Sequence, residues 1–489
     1  MAPPTPRLPK ITIIHPDLGI GGAERLIIDV ALALQNRGHR VTIYTSHRDK
    51  SHCFEEARDG TLDVRVRGNT IFPAHLGGRF HVLMAIARQV HLTFSLLGEQ
   101  QQQQQTEEEN GEEDEIFIVD QVPACVPILK TWGAMRRSHP RQRILFYCHF
   151  PDQLLARKDE GGELLRALKT LYRAPFDWFE GWAMSAADKV VANSRFTRGV
   201  ITGVFGEEKL GELSVVYPCV DTEAGMGGQA QAEAEGLGAT GEKVLWGGKK
   251  ILLSVNRFER KKDLALAIRA YHGLGKAKRV GTRLVVAGGY DHRVQENVQY
   301  HKELDQLATS LGLQTATAKT VVSALSVPDS IDVLFLLSVP TAFRDTLLLQ
   351  AKLLLYTPVN EHFGIVPVEA MRAGIPVLAS NTGGPLETIV EGETGWLRDA
   401  KNDAEWTAVM DKVLYEMSQT ELDRMSAVAK KRVESEFSLT AMGEKLETEI
   451  TEMLRKERRP FSGYQQVLVP LALLGAVFAL LVGLLLRLL

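Results

Sequence analysis

The chain alternates between short apolar runs and amphipathic stretches, and it does so twice, which restricts what it can fold into more than any other feature. The runs "ITII" (11–14), "VTIYT" (41–45), "IFIVD" (116–120), "ILFYC" (144–148) and "KVVA" (189–192) read as strands, with a helix over Ala23–Gln35 after the first. This is the rhythm of a parallel, doubly wound sheet. It restarts after residue 249 with "KILLSVN" (250–256), a helix from Asp263 to about Tyr271, "RLVVAGG" (283–289) and an apolar run over Lys352–Tyr356. The expectation is an α/β chain of two Rossmann-like domains, and 489 residues suffice for two cores.

The interruptions divide the chain further. Residues 1–222 form the N-terminal domain, 223–248 a linker region, 249–435 the C-terminal domain, and 436–459 a helix with a basic flank. "EQQQQQQTEEENGEEDE" (99–115) has almost nothing to bury and is expected to be a disordered surface loop. "EAGMGGQAQAEAEGLGATGEK" (223–243) is Gly- and Ala-rich and suits a linker. "SALSVPDSIDVLFLLSVP" (323–340) is assigned only loosely, to strand and loop. Residues 467–486 carry no charge over 20 positions and follow "RKERR" (455–459). That length spans a bilayer once, and a basic flank marks the cytoplasmic side, so 464–489 reads as a membrane segment with the body in the cytosol.

Composition excludes several classes. A net charge of −3 offers no basic field for nucleic acid. Cys53, Cys125, Cys148 and Cys219 are widely spaced, which argues against a disulfide framework or a zinc site and fits a reducing compartment. No Asp-x-Asp pair occurs to clamp a divalent metal, so no metal site is expected.

Four motifs carry chemistry. "HPDLGIGGAERL" follows the first strand and opens a helix, and Gly21 and Gly22 would let backbone approach an anion there. Glu24 stands where a dinucleotide fingerprint has its third glycine, which disfavours a dehydrogenase. His149, in "CHFPD" at a strand's carboxyl end, could hydrogen-bond a substrate. Arg257 and Lys262 in "SVNRFERKKDL" lie after a strand and at a helix start, where two cations make a diphosphate clamp. "NEHFGIVPVEAM" puts Glu361 on a strand-to-helix loop and Glu369 on the helix, two carboxylates suited to a polyhydroxylated ligand. Each motif has a plainer reading: a tight turn, a structural histidine, a solvated basic face, a helix cap.

The ordered set resembles one family. The Gly-rich loop, the mid-domain histidine, Arg-x4-Lys and Glu-x7-Glu with a trailing "NTGGPLE" resemble the GT-B retaining glycosyltransferases of family 4, over about residues 10–455. "FYCHFPDQLLA", "SVNRFERKKDL" and "NEHFGIVPVEAM" are similar to the eukaryotic dolichol-pathway mannosyltransferases within it. The resemblance implies a GT-B fold with an interdomain cleft. It implies GDP-mannose as donor and a dolichol-pyrophosphate-linked Man1GlcNAc2 acceptor, extended in α-1,3 and α-1,6 linkage at the endoplasmic reticulum membrane. Other mannosyltransferases of the pathway are implied partners. By resemblance Glu369 binds the nucleotide ribose, and Glu361 holds the transferred sugar with the Phe363-Gly364-Ile365 backbone. Arg257 and Lys262 stabilise the diphosphate, with Lys261 an ambiguous neighbour. Gly21 and Gly22 meet the phosphates, and His149 contacts the donor sugar or orients the acceptor. Two alternatives stay open: a family-4 enzyme on another lipid, such as one adding GlcNAc to phosphatidylinositol, and a non-catalytic membrane scaffold.

Overall fold

A computed structural model of the chain describes residues 8–75, 80–107, 114–135, 142–155, 163–222, 245–458 and 475. The chain passes from one compact unit to a second at Pro218–Cys219 and returns at Ala441–Met442. The linker stretch 223–243 and, Gly475 apart, the apolar run 467–486 lie outside the described residues. Among the described residues no helix is long and apolar enough to cross a membrane.

The first unit is built on seven strands: β1 Lys10–His15, β2 Val41–Thr45, β3 Asp63–Val66, β4 Glu115–Asp120, β5 Gln142–Cys148, β6 Lys189–Ala192 and β7 Ser214–Val215. Their order is β3-β2-β1-β4-β5-β6-β7, and every pairing is parallel. The direction of winding reverses between β1 and β4, so the switch point of this sheet lies at their carboxyl ends. The central strands are buried on both faces, which is why they read as nearly continuous apolar runs. Ile14, Phe117, Val119, Ile144 and Phe146 form the core, with Leu92 and Leu96 of the helix His81–Glu107 against them.

The second unit repeats the plan with β8 Lys250–Val255, β9 Thr282–Gly288, β10 Thr315–Ala318, β11 Val333–Leu337, β12 Ala351–Tyr356, β13 Val377–Ser380 and β14 Gly395–Arg398. The order is β10-β11-β9-β8-β12-β13-β14, again all parallel, with the reversal between β8 and β12. Leu252, Leu284, Val286, Tyr271 and Trp406 are in its core. Residues 245–248, which the sequence placed in the linker region, pack here: Leu245 and Trp246 are buried, and Trp246 donates to Ala324 O at 2.8 Å. The loosely read 323–340 stretch resolves into the end of a short helix, Val321–Leu325, and β11.

The expected disordered loop at 99–115 is corrected over residues 99–107. The helix His81–Glu107 runs through the glutamines, residues 108–113 lie outside the described residues, and Glu115 opens β4. Glutamine is a good helix former, and continuing an established helix costs no new nucleus. Partners on the sheet hold the extension: Glu99 pairs with Arg67 and accepts from Tyr44 Oη at 3.1 Å, and buried Gln100 donates to Glu115.

The final helix, Leu439–Arg455, packs against the first unit once the chain has returned to it. Met442, Leu446, Ile450 and Met453 make its buried stripe, at helical spacing. Polar contacts fix its register. Lys189 pairs with the buried Glu449 at 3.0 Å, and Arg143 donates to Met453 O at 3.3 Å and Lys456 O at 3.2 Å, closing carbonyls left open at the helix end.

Candidate active site

In the second unit, the loops after β8 and β12 leave the sheet at its switch point, where an open α/β sheet binds ligands. Lys262 comes from the first loop and Glu361 from the second, and they form a hydrogen-bonded ion pair. Only 12% of the Lys262 side chain and 24% of the Glu361 side chain are exposed, so the pair is sheltered but reachable. Thr357 Oγ1 donates to Lys262 O at 2.6 Å and ties the two loops together. Burial works to raise the Glu361 carboxyl, but Lys262, with His362 and Lys261, outweighs it and holds Glu361 below its ordinary range. Glu361 is therefore a fixed anion. Tyr356 beneath it is pushed well above its ordinary value, first by burial and then by the charge of Glu361.

The backbone here is strained. Asp263 and Asn360, next to Lys262 and Glu361, have φ of 41° and 55°. Left-handed backbone at a non-glycine residue costs on the order of 1–3 kcal/mol and persists only where the surroundings enforce it. The "NTGG" turn does the enforcing on the Glu361 side. Thr382 Oγ1 accepts from Asn360 N at 3.0 Å, and Gly384 N donates to Glu361 O at 2.8 Å. A Cβ on Gly384 would sit 2.1 Å from Phe363 O, so glycine is required for this approach.

The helix Ile365–Ala373 begins at the Phe363-Gly364-Ile365 turn, with Gly364 at φ 84°. Its first N–H groups have no partner within the helix and carry the positive end of its dipole. Phe363 itself is buried against Phe437, ring centroids 5.8 Å apart, so its side chain anchors the turn. Glu369 follows one turn on. Its Oε1 lies 3.3 Å from Arg344, while its buried Oε2 has no hydrogen-bond partner among the described residues. Burial pushes the Glu369 carboxyl up, and Arg344 only partly offsets that.

The two cations expected to act as a clamp are held differently. Lys262 is on Glu361, whereas Arg257 is 64% exposed and pairs with Glu259 at 3.0 Å. Lys261, the ambiguous neighbour, is 67% exposed and also pairs with Glu259, at 3.2 Å. Burial thus separates Lys262 from Lys261, which spacing could not do.

In the first unit, Gly21 is the N-cap of the helix Gly22–Asn36, and Glu24 folds back over it, 2.3 Å from where a Cβ would be. Gly22 has open space at its Cβ position. His149 lies just beyond β5, with its Nε2 hydrogen-bonded to Asp120 Oδ1. Asp120 ends β4, and its other oxygen is 2.6 Å from Nδ1 of His15, which ends β1. Burial opposes the charge on Asp120, yet His149 and His15 hold its carboxyl below the ordinary range. Asp120, His15 and Arg344 were missed from sequence. A signal for the first two existed: "ITIIH" and "IFIVD" are apolar runs that stop on an ionisable residue. Arg344, in the helix Thr341–Gln350, had none. Among the described residues no group of three or more His, Cys, Asp and Glu side chains is arranged to hold a metal ion.

Comparisons with known proteins bear on the family and the fold. A family model described as glycosyl transferases group 1 matches residues 241–432, and one described as glycosyltransferase family 4 matches residues 124–224. The chain is 48% identical over 477 residues to the α-1,3/1,6-mannosyltransferase of Neurospora crassa, covering 97% of this chain and 95% of that protein. It is 40% identical over 466 residues to the enzyme of the same name from Saccharomyces cerevisiae, covering 92% and 86%. Among solved structures, sucrose-phosphate synthase from Thermosynechococcus elongatus aligns with a TM-score of 0.63 at 16% identity, covering 91% of this chain and 99% of that one. Anabaena HepE in complex with UDP aligns with a TM-score of 0.59 at 17% identity, covering 91% and 100%. These structures share the fold of two Rossmann-like domains seen in GT-B glycosyltransferases. The close relatives go further and decide between the readings the sequence left open: the chain is an enzyme, and it belongs to the α-1,3/1,6-mannosyltransferase family.

Proposed function

We propose that the chain transfers mannose from GDP-mannose, with retention, to a dolichol-pyrophosphate-linked Man1GlcNAc2 acceptor. It makes the α-1,3 and α-1,6 linkages on the cytosolic face of the endoplasmic reticulum, anchored through the apolar run 467–486. The observation that carries this reading is the sheltered Lys262–Glu361 pair at the switch point, one turn of helix from Glu369. In this reading Glu369 accepts from the ribose hydroxyls through Oε2, which has no partner among the described residues. Lys262 has three N–H donors, so it can keep Glu361 and still donate to a phosphate oxygen. Arg257, exposed beyond it, supplies the second positive charge as the diphosphate departs. The helix N-terminus at Phe363-Gly364-Ile365 adds backbone donors.

Glu361 is charged and fixed, which suits stabilising positive character at the sugar rather than forming a bond to it. An α-linked donor and an α product require retention. A same-face substitution, in which the departing phosphate takes the acceptor proton, fits a site whose carboxylate is tied to a lysine. The protein's own cations then neutralise the diphosphate without a metal. Gly21 and Gly22 are assigned to the phosphates and His149 to a sugar. The test is purified protein with GDP-mannose or UDP-GlcNAc, a lipid-linked Man1GlcNAc2 acceptor, and linkage analysis of the product. Transfer from UDP-GlcNAc, or no transfer from GDP-mannose, overturns the proposal.

A further inference from the structure

β1, β4 and β5 are neighbours in the first sheet, and the chain places an ionisable residue at the carboxyl end of each: His15, Asp120 and His149. The side chains of His15 and Asp120 are completely buried, whereas His149 keeps 18% of its surface exposed. Asp120 uses one oxygen for each imidazole, Oδ2 for His15 Nδ1 and Oδ1 for His149 Nε2. His15 Nε2 is buried, with no partner among the described residues. A proton on Nε2 would be a buried donor with nothing to accept it, so the geometry puts the imidazole proton on Nδ1, donating to Asp120. Its N–H occupies one side of the carboxylate and leaves the other for His149.

A neutral imidazole that donates from one nitrogen accepts at the other. In its neutral form His149 donates to the buried carboxylate through Nε2, so its acceptor is Nδ1, on a side chain that keeps 18% of its surface exposed. We propose that Asp120 and His15 are positioning residues that fix His149 as its Nε2–H tautomer, presenting Nδ1 as a hydrogen-bond acceptor to a sugar hydroxyl in mannosyl transfer. The assignment of a sugar rests on the function proposed above; the tautomer does not. Asp120→Asn keeps the size but changes the chemistry. An amide N–H can donate to His149 Nε2, which moves the imidazole proton to Nδ1 and turns the acceptor into a donor.

The test is nitrogen NMR of the full chain with 15N-labelled histidine, its 13 histidines assigned at these two positions with His15→Gln and His149→Gln. The expected spectrum has the proton of His149 on Nε2 and that of His15 on Nδ1. In Asp120→Asn the His149 proton is expected on Nδ1, with kcat lower by about 10²-fold, the scale of a lost preorganised contact, and GDP affinity unchanged within about twofold. Wild-type His149 protonated on Nδ1 overturns the proposal without recourse to a variant. So does an Asp120→Asn protein that keeps the Nε2–H tautomer, or one whose tautomer flips while kcat holds. A purely structural triad would lower the melting temperature of Asp120→Asn and leave the His149 proton where it was. If the tautomers are as expected but the wild type transfers no mannose, the function proposed above fails and the positioning role of Asp120 stands.

Discussion

Glu361 and Glu369 are eight positions apart and in opposite electrostatic situations. Lys262 holds Glu361 charged, whereas burial works against the charge on Glu369 and outweighs Arg344, 3.3 Å away, and Arg372. Substitution is therefore expected to separate their roles. Glu361→Gln removes a fixed charge and is expected to lower kcat by roughly 10²–10³-fold with little loss of donor affinity. Glu369→Gln is expected to weaken GDP and GDP-mannose alike, by about 1–3 kcal/mol for a charge-assisted hydrogen bond. Calorimetric affinities and kcat for both variants check this, and equal losses in the two would refute the division. The residue scale is also where sequence reasoning ran short. It paired Arg257 with Lys262 and left Lys261 an ambiguous neighbour, and only burial distinguishes the sheltered Lys262 from two exposed side chains on Glu259.

At the scale of elements, the loop carrying Glu361 is held by the turn after β13. Gly384→Ala would press a methyl group against Phe363 O, 2.1 Å away, and overpacking of this kind costs about 1–3 kcal/mol. A lower melting temperature accompanied by lost transfer activity is expected; an unchanged melting temperature would show that the turn yields without cost. The helix Leu439–Arg455 offers a pH test. Burial works to raise Glu449, but hydrogen bonds from Lys445, Lys189 and Ser214 hold it below its ordinary value. A carboxylate depressed in the folded state contributes stability that is complete above its unfolded value, about 4.3, and is lost as pH falls through the lower native value. Glu449→Gln is thus expected to melt below wild type near neutrality and to converge with it in acid. Melting curves for both proteins across that range decide it, and a difference independent of pH would remove Glu449 from the acid response. The long helix His81–Glu107 shows how elements escape composition. Its Gln run has the makeup of a disordered segment, yet it is helical because Glu99 and Gln100 find partners on β2, β4 and Arg67.

At the scale of the whole molecule, two expectations concern what the enzyme needs around it. In the proposed reading Arg257 and Lys262 supply the countercharge, and activity is then expected to survive EDTA. Complete loss restored only by Mn²⁺ or Mg²⁺ would count against the cationic clamp. Deleting residues 464–489 is expected to release the protein from membranes, as fractionation would measure, while turnover of a soluble acceptor analogue persists. Loss of GDP binding in the truncated protein would make those residues part of the fold and sink the anchor.

The sequence by itself determined the two repeats of strand and helix, and with them two parallel sheets. Buried strands and loop glycines are local demands that neighbouring residues can meet. It also determined that Glu361 lies on a loop and Glu369 on the helix behind it, because a strand-to-helix junction is written in a short window. What only the tertiary structure decided was which side chains share a site. Lys262 and Glu361 are 99 positions apart and His15 and Asp120 are 105, and each pair meets because a strand order that reverses brings the ends of distant strands together. Charge and protonation follow from those meetings and from burial, and no residue carries either in its own neighbourhood of the chain.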